Sequence, residues 1–186
     1  MRYTIFLDRD GVINQDSPFY IKSPEEFHFI EGSPQAVALL NENRFDVILI
    51  TNQSAVGRKM ITQNTLDAIF KKMITGVEAA GGRIKDIFFC PHTPDAGCDC
   101  RKPKPGLIIQ AKDRYGIDLS ASLMVGDSAK DIECALAAGC QKTILVKTGN
   151  GQKAFNALDE NGVAPDLFAN DLFEAVQWII ANIAPC

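Results

Sequence analysis

Short apolar runs alternate along the chain with segments in which apolar positions recur at helical spacing. The runs predict strands at residues 3–7, 46–51, 86–90, 123–126 and 143–147, and a weaker strand at 166–169. Their apolar character is continuous rather than alternating, which is typical of strands buried on both faces. Repeated alternation of such strands with helices predicts an α/β fold with a mostly parallel sheet.

Helices are expected between these strands, and their starts carry recognisable signals. Ser33 followed by Pro34 predicts an N-cap and a first helical residue, because proline lacks an N–H that the first turn would leave unbonded. Further starts are predicted near Thr62, Pro105, Ala129, Gly151 and Asp171. In parallel sheets of this kind ligands bind beyond the carboxyl ends of the strands, so the loops that follow the strands are where we look for chemistry.

The composition narrows the classes of protein to consider. A length of 186 residues suits one domain with a sizeable core, and we expect a single domain over residues 1–186. The net charge of -4 argues against a basic face that binds nucleic acid. No apolar run reaches the roughly 18 residues of a membrane span, and Asp8 comes too early for a signal peptide. We therefore expect a cytoplasmic protein that binds a small molecule. We expect it to bind neither nucleic acid nor a membrane.

Two aspartates, Asp8 and Asp10, follow the first predicted strand with one residue between them. Carboxylates this close repel each other, and a hard divalent cation such as Mg²⁺ would relieve the repulsion. Gly11 would allow a sharp turn out of the strand. For an isolated D-x-D-G motif, however, a solvated turn is the commoner interpretation.

Polar groups also follow the next three predicted strands. The segment "TNQS" at 51–54 offers groups that bind phosphate oxygens, although the same residue types are common in turns. Arg101 and Lys102 come after the third strand and its loop. Asp127 and Asp131 come after the fourth, at a spacing that puts both on one helix face, although acidic residues are also frequent at ordinary helix starts. Because all these groups would meet at one end of one sheet, coincidence is a poor explanation.

Taken in order, the motifs "FLDRDG", "TNQS", "RKPKPG" and "VGDSAKD" resemble those of the haloacid dehalogenase superfamily of phosphatases. The resemblance extends over essentially the whole length. It implies a Rossmann-like three-layer sandwich, and no large insertion that would form a cap domain is evident. It also implies hydrolysis through an aspartyl-phosphate, which divides one difficult step into two easier ones.

The resemblance gives each matched residue a role. Asp8 would be the nucleophile, and Asp10 the general acid that later activates water. Thr51 and Lys102 would hold the transferring phosphoryl group. The Mg²⁺ ligands would be Asp8, the backbone carbonyl of Asp10 and Asp127, with Asp131 supporting the site.

Three cysteines and a histidine are crowded into the loop "CPHTPDAGCDC", and in a reducing compartment such a cluster favours a metal over the alternative, a disulfide. Residues spaced i, i+2 point the same way in an extended chain, so the cluster forms two pairs. The loop resembles that of the heptose-bisphosphate and histidinol-phosphate phosphatases, which binds Zn²⁺. The resemblance implies a closed structural zinc site in a loop spanning 90–103, with ligands Cys90, His92, Cys98 and Cys100. The cysteines outside it, Cys134, Cys140 and Cys186, are expected to be packed or exposed.

Longer stretches, among them "LDRDGVINQDS", "KSPEEF" and "TGNG", resemble the heptose-bisphosphate branch more closely. That implies removal of the 7-phosphate of D-glycero-D-manno-heptose 1,7-bisphosphate, in the formation of ADP-heptose for lipopolysaccharide. The substrate-binding residues would be Asp16, Ser17, Pro18, Phe19, Asn52, Gln53, Ser54, Arg58, Arg101 and Ser128. Ser128 stands where many relatives have a lysine, and Lys130 is a further basic residue available to a bisphosphate.

Two other functions remain open at this point. A histidinol-phosphate phosphatase would carry the same catalytic residues and a similar zinc loop, although that branch is usually half of a longer bifunctional chain. A non-catalytic sugar-phosphate-binding module would be expected to have lost one of the catalytic groups, and none is missing here. We also expect the protein to be a monomer.

Overall fold

The computed structural model describes residues 3–183, which contain six strands and seven helices. The strands are β1 (Thr4–Leu7), β2 (Asp46–Asn52), β3 (Asp86–Cys90), β4 (Ser122–Gly126), β5 (Lys142–Val146) and β6 (Leu167–Ala169). The helices are α1 (Ser33–Glu42), α2 (Ser54–Gly57), α3 (Gln63–Ala79), α4 (Gly106–Tyr115), α5 (Ala129–Ala138), α6 (Gly151–Glu160) and α7 (Leu172–Asn182). Cys186 lies outside the described residues.

All six strands form one sheet in the order β3-β2-β1-β4-β5-β6, and every neighbouring pair is parallel. The predicted α/β fold is confirmed, and the sheet is wholly rather than mostly parallel. Each predicted strand coincides with an observed one to within a residue at either end. The continuous apolar runs were informative because the central strands are buried on both faces.

The two faces of the sheet bury alternate residues of the central strands against two layers of helices. Ile5 and Leu7 of β1 lie in a core shared with α1, α3 and α7. Phe6, which points the other way, lies in a core shared with α4 and α5. A smaller cluster joins Leu145 of β5 to Leu158 of α6. The three-layer sandwich is therefore confirmed.

Most helix starts follow the signals in the sequence. The side chain of Thr62 accepts a hydrogen bond from the Thr65 N–H, and that of Asp171 accepts one from the Glu174 N–H. The prediction of Ser33 as an N-cap is wrong. Gly32, at φ 78°, occupies the cap position, and the buried Ser33 hydroxyl donates to the Ile13 carbonyl at 2.6 Å. Ser33 thus joins α1 to the loop after β1 instead of capping the helix.

The strand order changes direction between β1 and β4, because the chain passes from β1 to β2 and β3 on one side and from β4 to β5 and β6 on the other. The carboxyl ends of β1 and β4 border a crevice at such a switch point. The long connection at 8–32 contributes turns and isolated bridges to this end of the sheet. None of the helices within residues 3–183 has the length and apolar character needed to cross a membrane.

Candidate active site

Five side chains predicted to carry the chemistry meet at the carboxyl ends of β1, β2 and β4. They are Asp8, Thr51, Lys102, Asp127 and Asp131, and each of these residues is buried. Asp8 follows β1, Thr51 lies in β2, and the two further aspartates belong to β4–α5. Parallel strands end at the same edge of a sheet, so residues that are far apart in the sequence lie close together here.

The ammonium group of Lys102 is at the centre of this cluster and has three acceptors. Its Nζ lies 2.9 Å from Asp8 Oδ1, donates to the Ile50 carbonyl at 2.8 Å, and forms an ion pair with Asp131. Burial alone would lower the pKa of Lys102, but the carboxylates of Asp131 and Asp8 outweigh burial and raise the pKa. Lys102 is therefore a fixed positive charge beside the predicted nucleophile.

Three carboxylates in the cluster lie close enough to share a cation. Oxygens of Asp8, Asp127 and Asp131 lie within 4.8 Å of one another. Burial raises the pKa of Asp8 to about 7 against the effect of Lys102, and burial together with Asp8 and Asp131 raises that of Asp127 to about 8. Carboxylates this close together disfavour one another's ionised forms. A divalent cation bound between them would favour the ionised forms again, and Mg²⁺ fits because it prefers oxygen ligands.

The position of Asp127 depends on two glycines. A β-carbon at either Gly11 or Gly149 would collide with the Asp127 carboxylate, and both glycines have positive φ, 78° and 62°. The Asp127 carboxylate also accepts the Asn150 N–H at 2.8 Å, and the Thr148 hydroxyl donates to the Gly11 carbonyl at 2.6 Å. The loops after β1 and β5 thus form a narrow cradle around this carboxylate.

Asp10 is held by a separate network. The Arg9 guanidinium donates to both of its oxygens, with its Nη2 2.7 Å from Oδ1 and 2.8 Å from Oδ2. Asn14 donates to Oδ1 at 2.9 Å, and Gln53 donates to Oδ2 at 3.0 Å and to the Thr51 hydroxyl at 3.0 Å. Burial would raise the pKa of Asp10, but Arg9 and these amide donors lower it, so the carboxylate is held ionised in this arrangement.

Arg9 itself is almost wholly buried, with 1% of its surface exposed, and its guanidinium lies 5.8 Å from the centre of the Phe70 ring. Sequence reasoning missed this residue, because an arginine in a turn usually predicts a solvated side chain. The available signal was its place between Asp8 and Asp10, the two aspartates predicted to be catalytic. Gln53, predicted to contact substrate, also links Asp10 to Thr51 through its side-chain amide.

Most of these groups line one cavity of about 490 Å³, a size typical of small-molecule sites, whereas Asp131 and Asn14 lie outside its lining. Seven residues predicted to bind substrate line it: Asp16, Ser17, Asn52, Gln53, Ser54, Arg101 and Ser128. Pro18 lines an adjoining groove with Thr148 and Gly149, and Phe19 is 74% exposed. Arg58 is exposed and outside the cavity lining. Sequence reasoning missed the lining residues Tyr20, Ile21, Asn150 and Lys153.

The predicted zinc ligands form a compact cluster in the loop after β3. The Nδ1 of His92 lies 3.5 Å from Cys90 Sγ and 3.3 Å from Cys100 Sγ. The Sγ atoms of Cys90, Cys98 and Cys100 lie 3.1–3.6 Å apart. A tetrahedron with zinc–sulfur bonds of about 2.3 Å has edges of roughly 3.8 Å, so four ligand atoms at these separations suit a closed Cys₃His site. All three thiols are free, and the disulfide alternative is not realised.

The same loop leads directly into the cavity. Arg101 follows the last cysteine, and its Nη1 donates to the His92 carbonyl at 3.1 Å. Arg101 is partly exposed at the mouth of the cavity, whereas Lys102 is buried. A metal that ordered His92 would therefore also order the guanidinium that faces an incoming ligand.

Comparisons with known proteins agree with this geometry. A sequence model of the family described as HAD-hydrolase-like matches residues 99–175. A D-glycero-beta-D-manno-heptose-1,7-bisphosphate 7-phosphatase from Bordetella bronchiseptica is 48% identical over 149 residues, which are 80% of this chain and 83% of that protein. The phosphatase of the same name from Yersinia pestis is 38% identical over 185 residues, covering 96% of this chain and 95% of that one.

A solved structure extends the likeness to three dimensions. The crystal structure of D,D-heptose 1,7-bisphosphate phosphatase from B. bronchiseptica, complexed with magnesium and phosphate, matches with a TM-score of 0.90 and 42% identity. The match covers 97% of this chain and 99% of that one. The fold implied by the resemblance to the haloacid dehalogenase superfamily is confirmed.

Proposed function

The chain belongs to the heptose-bisphosphate phosphatase family of the haloacid dehalogenase superfamily, and we propose that it removes the 7-phosphate of D-glycero-D-manno-heptose 1,7-bisphosphate. The products would be heptose 1-phosphate and inorganic phosphate, in the supply of ADP-heptose for lipopolysaccharide. The observation that carries the proposal is the convergence of Asp8, Asp10, Thr51, Lys102 and Asp127 on one cavity. A module that only bound sugar phosphates would have no need of the complete set.

In the first half of the reaction, a carboxylate oxygen of Asp8 attacks phosphorus. Oδ1 of Asp8 already accepts the Arg9 N–H at 2.7 Å and faces Lys102 at 2.9 Å. Among the hydrogen bonds of residues 3–183 none goes to Oδ2 of Asp8, so we assign the attack to that oxygen. The bond between phosphorus and the oxygen on C7 breaks as the aspartyl-phosphate forms. Lys102 and the Thr51 hydroxyl hold the oxygens of the transferring group.

Asp10 transfers a proton in each half of the reaction. It gives a proton to the leaving C7 alkoxide, and it later takes one from the water that attacks the aspartyl-phosphate, so one water is consumed for each phosphate released. Arg9 lowers the pKa of Asp10, which suits the second role, when Asp10 must act as a base. A phosphate dianion bound beside Asp10 raises its pKa again, which suits the first role.

The carboxylates of Asp8 and Asp127, with the backbone carbonyl of Asp10, would hold the metal. Mg²⁺ bound there would offset the negative charge that otherwise keeps a carboxylate and a phosphate apart. Asp131 acts mainly through other residues, since its Oδ2 accepts the N–H and hydroxyl of Ser128 at 3.0 and 2.7 Å. These bonds cap the start of α5, and the other oxygen of Asp131, Oδ1, forms the ion pair with Lys102.

Zinc in the Cys₃His loop would be structural, since four protein ligands leave no open position. Such a site keeps its thiolates only where thiols stay reduced, and this supports a cytoplasmic location. We further propose that the protein acts as a monomer and that residues 1–186 form one domain. These proposals set the conditions for assay, which are Mg²⁺, a reducing buffer and no strong zinc chelator.

A substrate panel tests the proposed function directly. Phosphate release would be measured with Mg²⁺ from heptose 1,7-bisphosphate, histidinol phosphate and a small phosphate ester. The expected result is the highest kcat/KM for the heptose bisphosphate, with heptose 1-phosphate as the product. A preference for histidinol phosphate would overturn the substrate assignment and leave the Asp8 chemistry intact. No release from any substrate by a folded, metal-loaded protein would favour the binding module.

A further inference from the structure

The mouth of the active-site cavity has a charge pattern that the reaction at Asp8 does not explain. Four charged side chains line it outside the buried cluster: Asp16, Arg101, Lys130 and Lys153. We propose that Lys130 and Lys153, from the first turns of α5 and α6, form the subsite for the distal phosphate, at C1 of the substrate. This inference rests on the proposed function, because only a bisphosphate has a second phosphate to place.

The two lysines belong to helix starts that lie side by side. Lys130 follows Ala129, the first residue of α5, and Lys153 precedes Ala154 in the first turn of α6. Helices α5 and α6 are in contact, and Ala129 packs against the hydrophobic cluster that contains Ala154. Both lysines are exposed, and both line the cavity together with the small side chains of Ala129, Ala154 and Ala157. Small residues on this wall leave room for a ligand beside the two ammonium groups.

Neither lysine has an acidic partner among residues 3–183. Several other lysines on the surface are paired, among them Lys22 with Glu26, Lys104 with Asp99 and Lys142 with Asp166. Lys130 and Lys153 form no ion pair with any side chain in the described part of the chain. Their charges are therefore available to an anion from solution, with little competition from the protein itself.

The balance of charge changes sign between the bottom and the mouth of the cavity. At the bottom, Asp8, Asp10 and Asp127 outnumber Arg9 and Lys102, which suits a metal cation. At the mouth, three basic side chains face the single acid Asp16. Asp16 is already engaged, since its Oδ2 accepts the Asn150 amide at 2.8 Å and its Oδ1 accepts the Ser17 N–H at 2.8 Å. A phosphate dianion would be attracted to the mouth, while the metal would be attracted to the bottom.

The neighbouring candidates are less suitable for this task. Ser128 is uncharged, and its hydroxyl and N–H are both bound to Asp131 at the start of α5. Arg58 lies outside the cavity lining. Arg101 does line the mouth, but its guanidinium is tied to the His92 carbonyl on the zinc-loop side. The lysines of α5 and α6 thus supply the positive charge that Ser128, immediately after Asp127, does not provide.

The test compares two substrates that differ only in the distal phosphate. These are heptose 1,7-bisphosphate and heptose 7-phosphate, assayed with the wild type, Lys130→Ala, Lys153→Ala and the double variant. Lys112→Ala, which removes an exposed lysine from α4, is the matched control. Each single variant should lower the ratio of kcat/KM for bisphosphate to that for monophosphate about tenfold, mainly through KM, because a charged hydrogen bond is lost. The double variant should lower it further, and Lys112→Ala should leave it as in the wild type.

The outcomes separate this inference from the proposed function. If the wild type prefers the bisphosphate and the double variant keeps that preference, the lysine subsite is wrong and the proposed function stands. If the wild type turns over both substrates equally, the distal phosphate is not recognised. The proposed subsite and the assignment of the bisphosphate as the substrate are then both wrong. Loss of the preference in Lys112→Ala as well would show a general charge effect and would also overturn the subsite.

Discussion

Asn52 and the backbone of Lys102 are joined by two reciprocal hydrogen bonds. The Lys102 N–H donates to Asn52 Oδ1 at 3.1 Å, and Asn52 Nδ2 donates to the Lys102 carbonyl at 3.2 Å. The Lys102 ammonium in turn donates to the carbonyl of Ile50, two residues earlier in β2. The backbone and the ammonium group of this lysine, which is predicted to be catalytic, are thus both positioned by one strand. We therefore infer that Asn52 positions Lys102, while its predicted contact with substrate stays a prediction because Asn52 also lines the cavity.

Replacement of Asn52 should therefore impair catalysis through Lys102. Asn52→Ala removes both bonds, and we expect kcat to fall about tenfold with a smaller change in KM, since a shift of the lysine weakens contacts to the transition state most. Asn52→Asp keeps the acceptor for the Lys102 N–H and should recover part of kcat. Asn182→Ala, which removes an amide bound to the Trp178 carbonyl, is the control. An unchanged kcat in Asn52→Ala would refute the positioning role.

Asp8→Asn tests the nucleophile. The substitution keeps the shape of the side chain and removes the attacking charge, so we expect hydrolysis to fall at least about 10³-fold, to background. Circular dichroism and the melting temperature serve as controls for folding. Near-normal turnover by a folded Asp8→Asn variant is incompatible with an aspartyl-phosphate on this residue.

The cradle around Asp127 can be tested by adding one methyl group. Gly149→Ala places a β-carbon against the Asp127 carboxylate, and we expect it to raise the Mg²⁺ concentration needed for half-maximal activity about tenfold or more. Gly162→Ala is a matched control, because Gly162 also has positive φ, 68°, and a β-carbon there would meet no atom within 4 Å. It should cost about 1 kcal/mol of stability from backbone strain alone. Equal Mg²⁺ dependence in the two variants would mean that contact with Asp127 is unimportant.

Sequence reasoning was most reliable where one local rule determined the outcome. The strand positions followed from apolar runs, and the Thr62 and Asp171 caps followed from side chains that bond their own helix. It failed where a side chain bonds a distant segment. Ser33 looked like a cap but bonds Ile13. The bonds from Asn52 to Lys102 and from Gln53 to Asp10 were likewise not predicted, although both residues line the cavity and their contact with substrate stays a prediction. Which partner such a side chain bonds depends on which loops lie together in the fold. The residue types within one motif carry no information about that.

The zinc loop yields a final prediction that connects folding to substrate recognition. Cys98→Ser removes one thiolate of the Cys₃His cluster, so we expect elemental analysis to show one zinc per chain in the wild type and much less in the variant. Because Arg101 is tied to His92, loss of zinc should also raise KM for the bisphosphate. Cys140→Ser is the matched control, since Cys140 is a free cysteine outside the cluster and its replacement should leave the zinc content at the wild-type level. Active wild-type protein without zinc would refute the metal assignment. Full zinc loss with unchanged KM would instead show that Arg101 does not depend on the metal for its position.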